Sequence, residues 1–183
     1  SILDSGEFNG YPYFAMEFVD GKPLDRLLKD DLDLEIGMEI LEKIARAVHY
    51  AHEQGIVHRD LKPENIFLSE EAGAVRVKVL DFGIAKLVGT HIMTQSNALT
   101  NANTMLGTPY YMAPEQYEGR ETDERTDIYA AGVIVYEVLC GRRPFEGAGG
   151  SLLRQILQDP PPPVSTFEPR LPVTIDMVLA RAL

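Results

Sequence analysis

The clearest hydrophobic pattern in the chain lies between Glu35 and Gln54. Apolar residues recur there every three or four positions, which predicts one amphipathic helix that ends at Gly55. The positions on this stripe are Ile36, Ile40, Leu41, Ile44, Ala47, Val48 and Ala51. A more uniformly apolar helix is predicted over about 127–139, and shorter helices are predicted after Pro23, over about 151–158 and from about Thr174.

Two pairs of strands are predicted as well. The segments 2–6 and 11–19 lie on either side of the turn signal Asn9-Gly10. The segments 66–68 and 75–79 lie on either side of a polar turn around Gly73, and the second of them alternates valine with charged residues. Between about 89 and 106 all periodicity disappears, and a loop of that length inside a domain is usually functional or mobile.

Composition narrows the classes of function. The 183 residues suit one domain, and the net charge of -11 argues against binding to nucleic acid or to an anionic membrane surface. The most apolar stretch, 129–139, is too short to span a bilayer, and no signal peptide is visible. Any phosphate group must therefore be met by a few placed cations or by Mg²⁺.

Cysteine and proline usage leave two minor alternatives. Cys140 is the only cysteine, which excludes an internal disulfide and fits a reducing, cytoplasmic compartment. It is either a reactive thiol or a small buried residue, and the second interpretation is favoured. The four prolines at 160–163 are either a polyproline ligand or a rigid connector between helices, and the connector is again favoured.

Three motifs carry the chemistry. Residues 58–65 read His-Arg-Asp-Leu-Lys-Pro-Glu-Asn, residues 81–83 read Asp-Phe-Gly, and residues 113–115 read Ala-Pro-Glu. The identity and order of these motifs resemble those of the eukaryotic-like, or Hanks-type, Ser/Thr protein kinases. The residues of the segment 107–116 are similar to those of the bacterial branch of this family. This resemblance covers essentially the whole chain. It implies an α+β, protein kinase-like fold made mostly of the helical C-terminal lobe.

The resemblance also implies roles for individual residues. Asp60 is expected to be the base that accepts the proton of the substrate hydroxyl, and Lys62 is expected to contact the transferring phosphate of ATP. Asn65 and Asp81 are expected to bind Mg²⁺ through oxygen atoms. Thr108 is expected to bridge Asp60 and Lys62, as in Ser/Thr-specific members.

A further set of expectations concerns packing and the peptide site. His58 and Phe82 resemble the internal apolar spine of the family, and Asp127 resembles the buried aspartate that binds the backbone of the 58–59 turn. The segment 107–115 resembles the loop that receives the substrate residue following the phosphoacceptor. Glu115 normally pairs with a later arginine in the family, and no residue of this chain can be assigned that role.

The nucleotide site is expected at the junction of the two lobes. Met16, Glu17 and Val19 match the hinge, where main-chain groups of Glu17 and Val19 would read adenine and Met16 would line the pocket. Phe67 would pack under the adenine ring. Pro23 replaces the usual acidic ribose ligand, and either Asp20 or Asp25 is a candidate substitute.

These expectations divide the chain into a small-lobe remnant at 1–15, a hinge at 16–22 and an incomplete large lobe at 23–183. The glycine-rich loop and strand lysine of the family are not in the sequence, so we expect a chain truncated at both ends that has negligible activity alone. In the aperiodic loop, Thr100 or Thr104 is expected to become phosphorylated, by self-phosphorylation in trans, and to pair with Arg59.

Alternative functions remain. A non-catalytic pseudokinase that acts as a scaffold is disfavoured by the joint presence of Asp60, Lys62, Asn65 and Asp81. A small-molecule phosphotransferase is disfavoured by the peptide-docking segment. His49 and His52 lie three residues apart on one helix and could share a metal ion, although surface or packing roles are favoured. The preferred interpretation is a kinase that uses ATP and Mg²⁺ on Ser/Thr-bearing proteins.

Overall fold

A computed structural model describes residues 2–8, 11–29, 32–71, 73–82 and 109–183 of the chain. Strands β1 (Ile2–Phe8) and β2 (Tyr11–Met16) pair antiparallel in a sheet of their own. Strands β3 (Lys22–Pro23), β4 (Ile66–Glu71) and β5 (Ala74–Val79) form a second, antiparallel sheet in that order. The segment between Met16 and Lys22 therefore connects the two sheets.

The rest of the described chain is mainly helical. The α-helices are α1 (Leu24–Leu27), α2 (Leu34–Glu53), α3 (Pro114–Tyr117), α4 (Glu124–Cys140), α5 (Gly149–Gln158) and α6 (Thr174–Ala182). Short 3-10 turns occur at Pro63–Asn65, Pro109–Tyr111 and Val164–Thr166. Among the described residues, no helix is both long enough and apolar enough to cross a bilayer.

Helix α4 lies at the centre of the core. Ten of its residues are buried and they point in most directions around the axis, because α2, α6 and the 109–111 turn all pack against it. Its N-terminus is capped by Asp123, whose side chain accepts the N–H of Arg125 at 2.8 Å. Its C-terminus ends at Gly141, where φ of 67° is a left-handed conformation that glycine adopts without steric cost.

Helix α2 connects the hairpin sheet to this core. Its N-cap Asp33 accepts the N–H groups of Glu35 and Ile36 at 2.9 and 3.2 Å. The predicted apolar stripe is buried at Ile40, Leu41 and Ile44, and at Val48 and Ala51. Ala47 is only half-buried, and Ile36, in the first turn of the helix, is exposed, which differs from the prediction. The helix packs against β5 on one side and α4 on the other.

The predicted elements are confirmed in type, with differences at their ends. Strand β2 ends at Met16 rather than continuing to Val19, and α4 begins at Glu124 rather than Asp127. The first turn of α4 is polar although only Glu124 and Arg125 are exposed, because the buried Thr126 is hydrogen-bonded to Glu115. An apolar pattern therefore could not reveal it. The short elements β3 and α3 were not predicted, and the Asn9-Gly10 turn lies outside the described residues.

Candidate active site

Two side chains predicted to be catalytic, Asp60 and Lys62, and one predicted Mg²⁺ ligand, Asn65, meet in the 58–65 segment. Lys62 Nζ lies 2.7 Å from Asp60 Oδ2, and the side-chain amide of Asn65 donates to Asp60 O at 2.8 Å and to Asp60 Oδ2 at 3.3 Å. Asn65 is buried because the Pro63–Asn65 turn closes beneath it, whereas about half of the Asp60 side chain is exposed. The structure thus brings an exposed carboxylate, an ammonium and an amide together at one surface.

The shape of this segment is set by a buried carboxylate in α4. Asp127 is 1% exposed, and it accepts the main-chain N–H of His58 at 2.7 Å and that of Arg59 at 2.8 Å. Its Oδ2 also lies 2.8 Å from Nε2 of His52 in α2. One side chain therefore ties the catalytic segment to two helices of the core, and the expected role of Asp127 is confirmed in its geometry.

A buried histidine joins the catalytic segment to the end of the hairpin. His58 is fully buried; its Nδ1 accepts the N–H of Asp60 at 3.2 Å, and its Nε2 lies 2.8 Å from the carbonyl oxygen of Leu80. Since a carbonyl only accepts, these partners fix the tautomer with the proton on Nε2. The His58 ring also packs on Phe82, with ring centroids 4.7 Å apart.

The β4–β5 hairpin places Asn65 and Asp81 at the same edge. Ile66 pairs with Val79 in the ladder, and the N–H of Leu80 donates to Asn65 O at 2.8 Å. Leu80 therefore lies opposite Asn65, and Asp81 is the residue immediately after Leu80. Asp81 and Arg59 are the two described non-glycine residues with positive φ, at 64° and 66°. Such backbone is held only where the surroundings over-determine it, and it is concentrated at functional sites.

The donor set at this edge suits Mg²⁺. Both N–H donors of the Asn65 amide are directed at Asp60, so Oδ1 is its remaining polar atom. The Asp81 side chain is exposed at the end of the hairpin. Mg²⁺ prefers one or two protein oxygens together with water and substrate phosphates, and one amide oxygen plus one carboxylate meets that requirement.

The predicted hinge lies beside the same hairpin. Pro23 pairs with Phe67 across β3 and β4, so the chain after Glu17 and Val19 is bound to the strand that carries Phe67. Lys78, opposite Phe67 in the ladder, forms an ion pair with Glu17 at 3.2 Å, and this hydrogen-bonded ammonium lowers the pKa of the Glu17 carboxyl. Both side chains are about half exposed.

A glycine sets how closely the hinge approaches the hairpin. A Cβ atom added to Gly21 would lie 2.5 Å from the carbonyl oxygen of Leu68. No side chain fits at that distance, so the close contact requires glycine. The predicted hinge is consequently held directly against the main chain of β4.

The 109–117 segment is attached to the catalytic loop by a residue that the sequence reasoning missed. Gln116 Nε2 donates to the main-chain oxygen of Arg59 at 2.8 Å, while its Oε1 accepts the N–H of Ala113 at 2.9 Å. The signal was available, because Pro114 at the first helical position with Gln116 two residues later indicates a short capped helix. Glu115 accepts a hydrogen bond from Thr126 Oγ1 at 2.5 Å.

The side chain of Arg59 makes a contact that was not foreseen. Its Nε donates to Thr122 Oγ1 at 2.9 Å, in the segment between α3 and α4. The guanidinium is therefore oriented away from the core and towards the 119–123 segment.

Several predicted residues lie outside the described part of the chain. They are Gly83, Thr108 and the loop that contains Thr100 and Thr104. For the histidines, His52 contacts Asp127, and His49, which is 75% exposed, lies 3.7 Å from Glu53. Within the described ranges, no group of three or more His, Cys, Asp or Glu side chains is arranged to hold a metal ion. Met16 ends β2 and is exposed.

The two small sheets, the helical core and a site formed by the 58–65 segment, the β4–β5 hairpin and residues 80–82 define the protein kinase fold. A family model described as "Protein kinase domain" matches residues 2–168. The chain belongs to this family. It has a TM-score of 0.70 with the crystal structure of the Mycobacterium tuberculosis PknI kinase domain, at 30% identity over the whole chain and 61% of that structure.

Curated relatives narrow the class to bacterial Ser/Thr kinases. The chain is 47% identical to "Serine/threonine-protein kinase Pkn1" of Myxococcus xanthus, over all of the chain and 26% of the relative. It is 37% identical to "Probable serine/threonine-protein kinase PknB" of Lactococcus lactis, over 99% of the chain and 28% of the relative. The chain thus spans roughly a quarter of the length of these relatives.

Proposed function

We propose that the protein containing this chain is an ATP-dependent Ser/Thr protein kinase. The observation that carries the proposal is the convergence of Asp60, Lys62 and Asn65, with Lys62 Nζ 2.7 Å and Asn65 Nδ2 3.3 Å from the same Asp60 oxygen. Phosphoryl transfer depends on positioning and on charge neutralisation, and this cluster supplies both at the end of the β4–β5 hairpin.

Asp60 accepts the proton of the substrate hydroxyl in this proposal. Among the described residues, the side chains of Lys62 and Asn65 both contact Oδ2 of this carboxylate, and in this proposal Oδ1 is the oxygen directed to the hydroxyl. Lys62 neutralises charge that develops on the transferring phosphoryl group. Asn65 Oδ1 and the Asp81 carboxylate hold Mg²⁺, which supplies further neutralisation of the phosphate oxygens when bound.

The nucleotide lies between the hinge and the hairpin in the same scheme. Main-chain groups of Glu17 and Val19 bind the adenine edge, while Met16 and Phe67 contact its ring. This arrangement is supported by the β3–β4 pairing, which fixes the chain after the hinge beside Phe67. Residues 1–15 then belong to the small lobe, 16–22 to the hinge and 23–183 to the large lobe.

The proposed acceptors are Ser and Thr residues of proteins, and the proposed compartment is the cytoplasm, where ATP is available. Thr108 is proposed to bridge Asp60 and Lys62 at the acceptor site. Self-phosphorylation in trans at Thr100 or Thr104 is proposed to supply a phosphate for Arg59. The Arg59 contact with Thr122 supports this, because a hydroxyl at 2.9 Å already occupies a place where a phosphate oxygen could be bound.

Incorporation of phosphate from labelled ATP tests the proposal. The full product of the gene should phosphorylate dephosphorylated casein and itself, whereas its Asp60→Asn variant should lose about 10³-fold or more in kcat because the base is removed. Mass spectrometry should find phosphate between Thr90 and Thr104 only in the active enzyme. Binding of ATP with no transfer by the unmutated protein would contradict the proposal and favour the scaffold interpretation.

A further inference from the structure

One arginine that the catalytic scheme does not use contacts the proposed peptide-docking segment. Arg143, just after α4, places its guanidinium carbon 3.7 Å from the centroid of the Tyr110 ring. Its Nε lies 3.9 Å from Oε1 of Glu137, and its side chain is 31% exposed. A single guanidinium therefore bridges the Pro109–Tyr111 turn and the C-terminal part of α4.

The neighbouring tyrosine is tied to the same carboxylate. Tyr111 OH donates to Glu137 Oε2 at 2.5 Å, and burial raises the pKa of both the Tyr111 hydroxyl and the Glu137 carboxyl. The Tyr110 hydroxyl in turn donates to the main-chain oxygen of Gly147 at 3.0 Å. Two consecutive tyrosines are thus attached to one short stretch of chain through a ring contact and two hydroxyl groups.

We infer that Arg143 is a positioning residue that orders the Pro109–Tyr111 turn for binding of the protein substrate. This inference rests on the proposed kinase function. The planar guanidinium stacks on Tyr110 with its face and meets Glu137 with its edge, and a lysine ammonium cannot make both contacts in this way. The cation–π contact thus adds to the packing of Tyr110 against the core and to its hydroxyl hydrogen bond with Gly147.

The contacts also predict which kinetic parameter should change. The turn leads into α3, where Gln116 binds the main chain of Arg59 beside the proposed base. In contrast, Asn65 and Asp81 lie at the two ends of the β4–β5 hairpin, and the strand pairing and main-chain hydrogen bonds described for that hairpin involve neither Arg143 nor Tyr110. Loss of Arg143 should therefore weaken binding of the protein substrate and leave binding of ATP unchanged.

The neighbouring arginine provides a matched control. Arg142 stacks on Phe167, with its guanidinium carbon 4.6 Å from the ring centroid, and lies 3.7 Å from Glu146. It has the same charge and a similar aromatic contact, but its partner ring is in the 164–170 segment. Arg142→Gln removes one positive charge from the same surface without touching Tyr110.

The experiment compares the full gene product with its Arg143→Gln, Arg143→Lys and Arg142→Gln variants. We expect Arg143→Gln to raise KM for dephosphorylated casein about fivefold or more while KM for ATP stays within about twofold, because one partly buried cation–π contact is lost. Arg143→Lys should be impaired almost as much, since it keeps charge but loses stacking. Arg142→Gln should match the unmutated protein.

A second measurement does not depend on activity. Amide hydrogen exchange across residues 109–117 should be faster in Arg143→Gln than in Arg142→Gln or the unmutated protein, with exchange in β4 and β5 unaltered. An unchanged KM for casein, a parallel rise in KM for ATP, or unchanged exchange at 109–117 would overturn the inference. If the unmutated protein transfers no phosphate, the kinase proposal fails, and the exchange data still decide whether Arg143 orders the turn.

Discussion

Replacement of Asp127 by asparagine tests how the catalytic segment is held. The change keeps the size of the side chain and replaces one acceptor oxygen by an NH₂ group. In the structure, Oδ1 accepts from Arg59 N, while Oδ2 accepts from His58 N and contacts His52 Nε2. Whichever way the amide is turned, its NH₂ group faces at least one main-chain N–H.

The magnitude follows from this mismatch. A hydrogen bond to a charged group contributes about 1.5–3 kcal/mol, and a buried donor left without an acceptor costs about 1–3 kcal/mol. We therefore expect Asp127→Asn to lower the free energy of unfolding by about 2–4 kcal/mol, a large part of the roughly 5–15 kcal/mol typical of a domain. The left-handed backbone of Arg59, at φ of 66°, should also relax when its N–H loses the carboxylate.

Urea unfolding of the 183-residue chain, followed by circular dichroism, measures the effect. With a slope of about 2 kcal/mol per molar urea, the midpoint should fall by roughly 1–2 M. Asp123→Asn is the matched control, because it makes the same change at the exposed cap of the same helix, where asparagine caps as well as aspartate does. Equal midpoints for the two variants would refute the reasoning about Asp127.

The remaining predictions concern a close contact at Gly21, the partly buried thiol of Cys140 and the hydrogen-bonded carboxylate of Asp176. Gly21→Ala should lower the urea midpoint of unfolding because its Cβ would lie 2.5 Å from a main-chain oxygen of β4. The control Gly150→Ala, whose Cβ would meet nothing within 4 Å, should be neutral or stabilising by up to about 1 kcal/mol. Equal midpoints for the two variants would contradict this prediction. Burial raises the pKa of the Cys140 thiol from 9 to about 11. Iodoacetamide at pH 8 should therefore modify Cys140 about tenfold more slowly in the folded chain than in urea, because the thiolate is rarer although each thiolate is more nucleophilic. Equal rates in the two conditions would contradict this prediction. Hydrogen bonds from the Ser165 hydroxyl and main chain lower the pKa of Asp176 below 3.8, so its stabilising contribution is present above pH 3.8 and is lost as the pH falls through the folded value. The stability difference between the unmutated chain and Asp176→Asn should thus be larger at pH 7 than at pH 3, and a constant difference would show that the charge of Asp176 does not stabilise the folded chain.

The sequence predicted the elements well wherever a repeating pattern or a motif was available. The apolar stripe of α2 and the alternation in β5 gave the correct helix and hairpin, and the 58–65 motif correctly indicated that Asp60, Lys62 and Asn65 would lie together. The resemblance also gave the partner of Asp127. Each of these depends on local periodicity or on the resemblance of short motifs to a known family.

What the sequence did not reveal were contacts between distant polar side chains. His52 and Asp127 are 75 residues apart, and Tyr111 and Glu137 are 26 apart, so no spacing rule links them. The contact between Arg143 and Tyr110 depends on how α4 is oriented against the 109–111 turn. Such pairs follow from tertiary packing, and a single sequence without packing information does not specify them.

The left-handed backbone at Asp81 determines how a metal-binding test should be designed. Alanine at this position would remove the carboxylate and would also hold a Cβ-bearing residue at φ of 64°, without the short polar side chain that makes this conformation tolerable. An Asp81→Ala enzyme would therefore lose the carboxylate and would also have a distorted backbone at 80–82. Loss of activity in this variant would not show which of the two changes caused it. Asparagine accepts the left-handed region readily, so Asp81→Asn isolates the contribution of the negative charge.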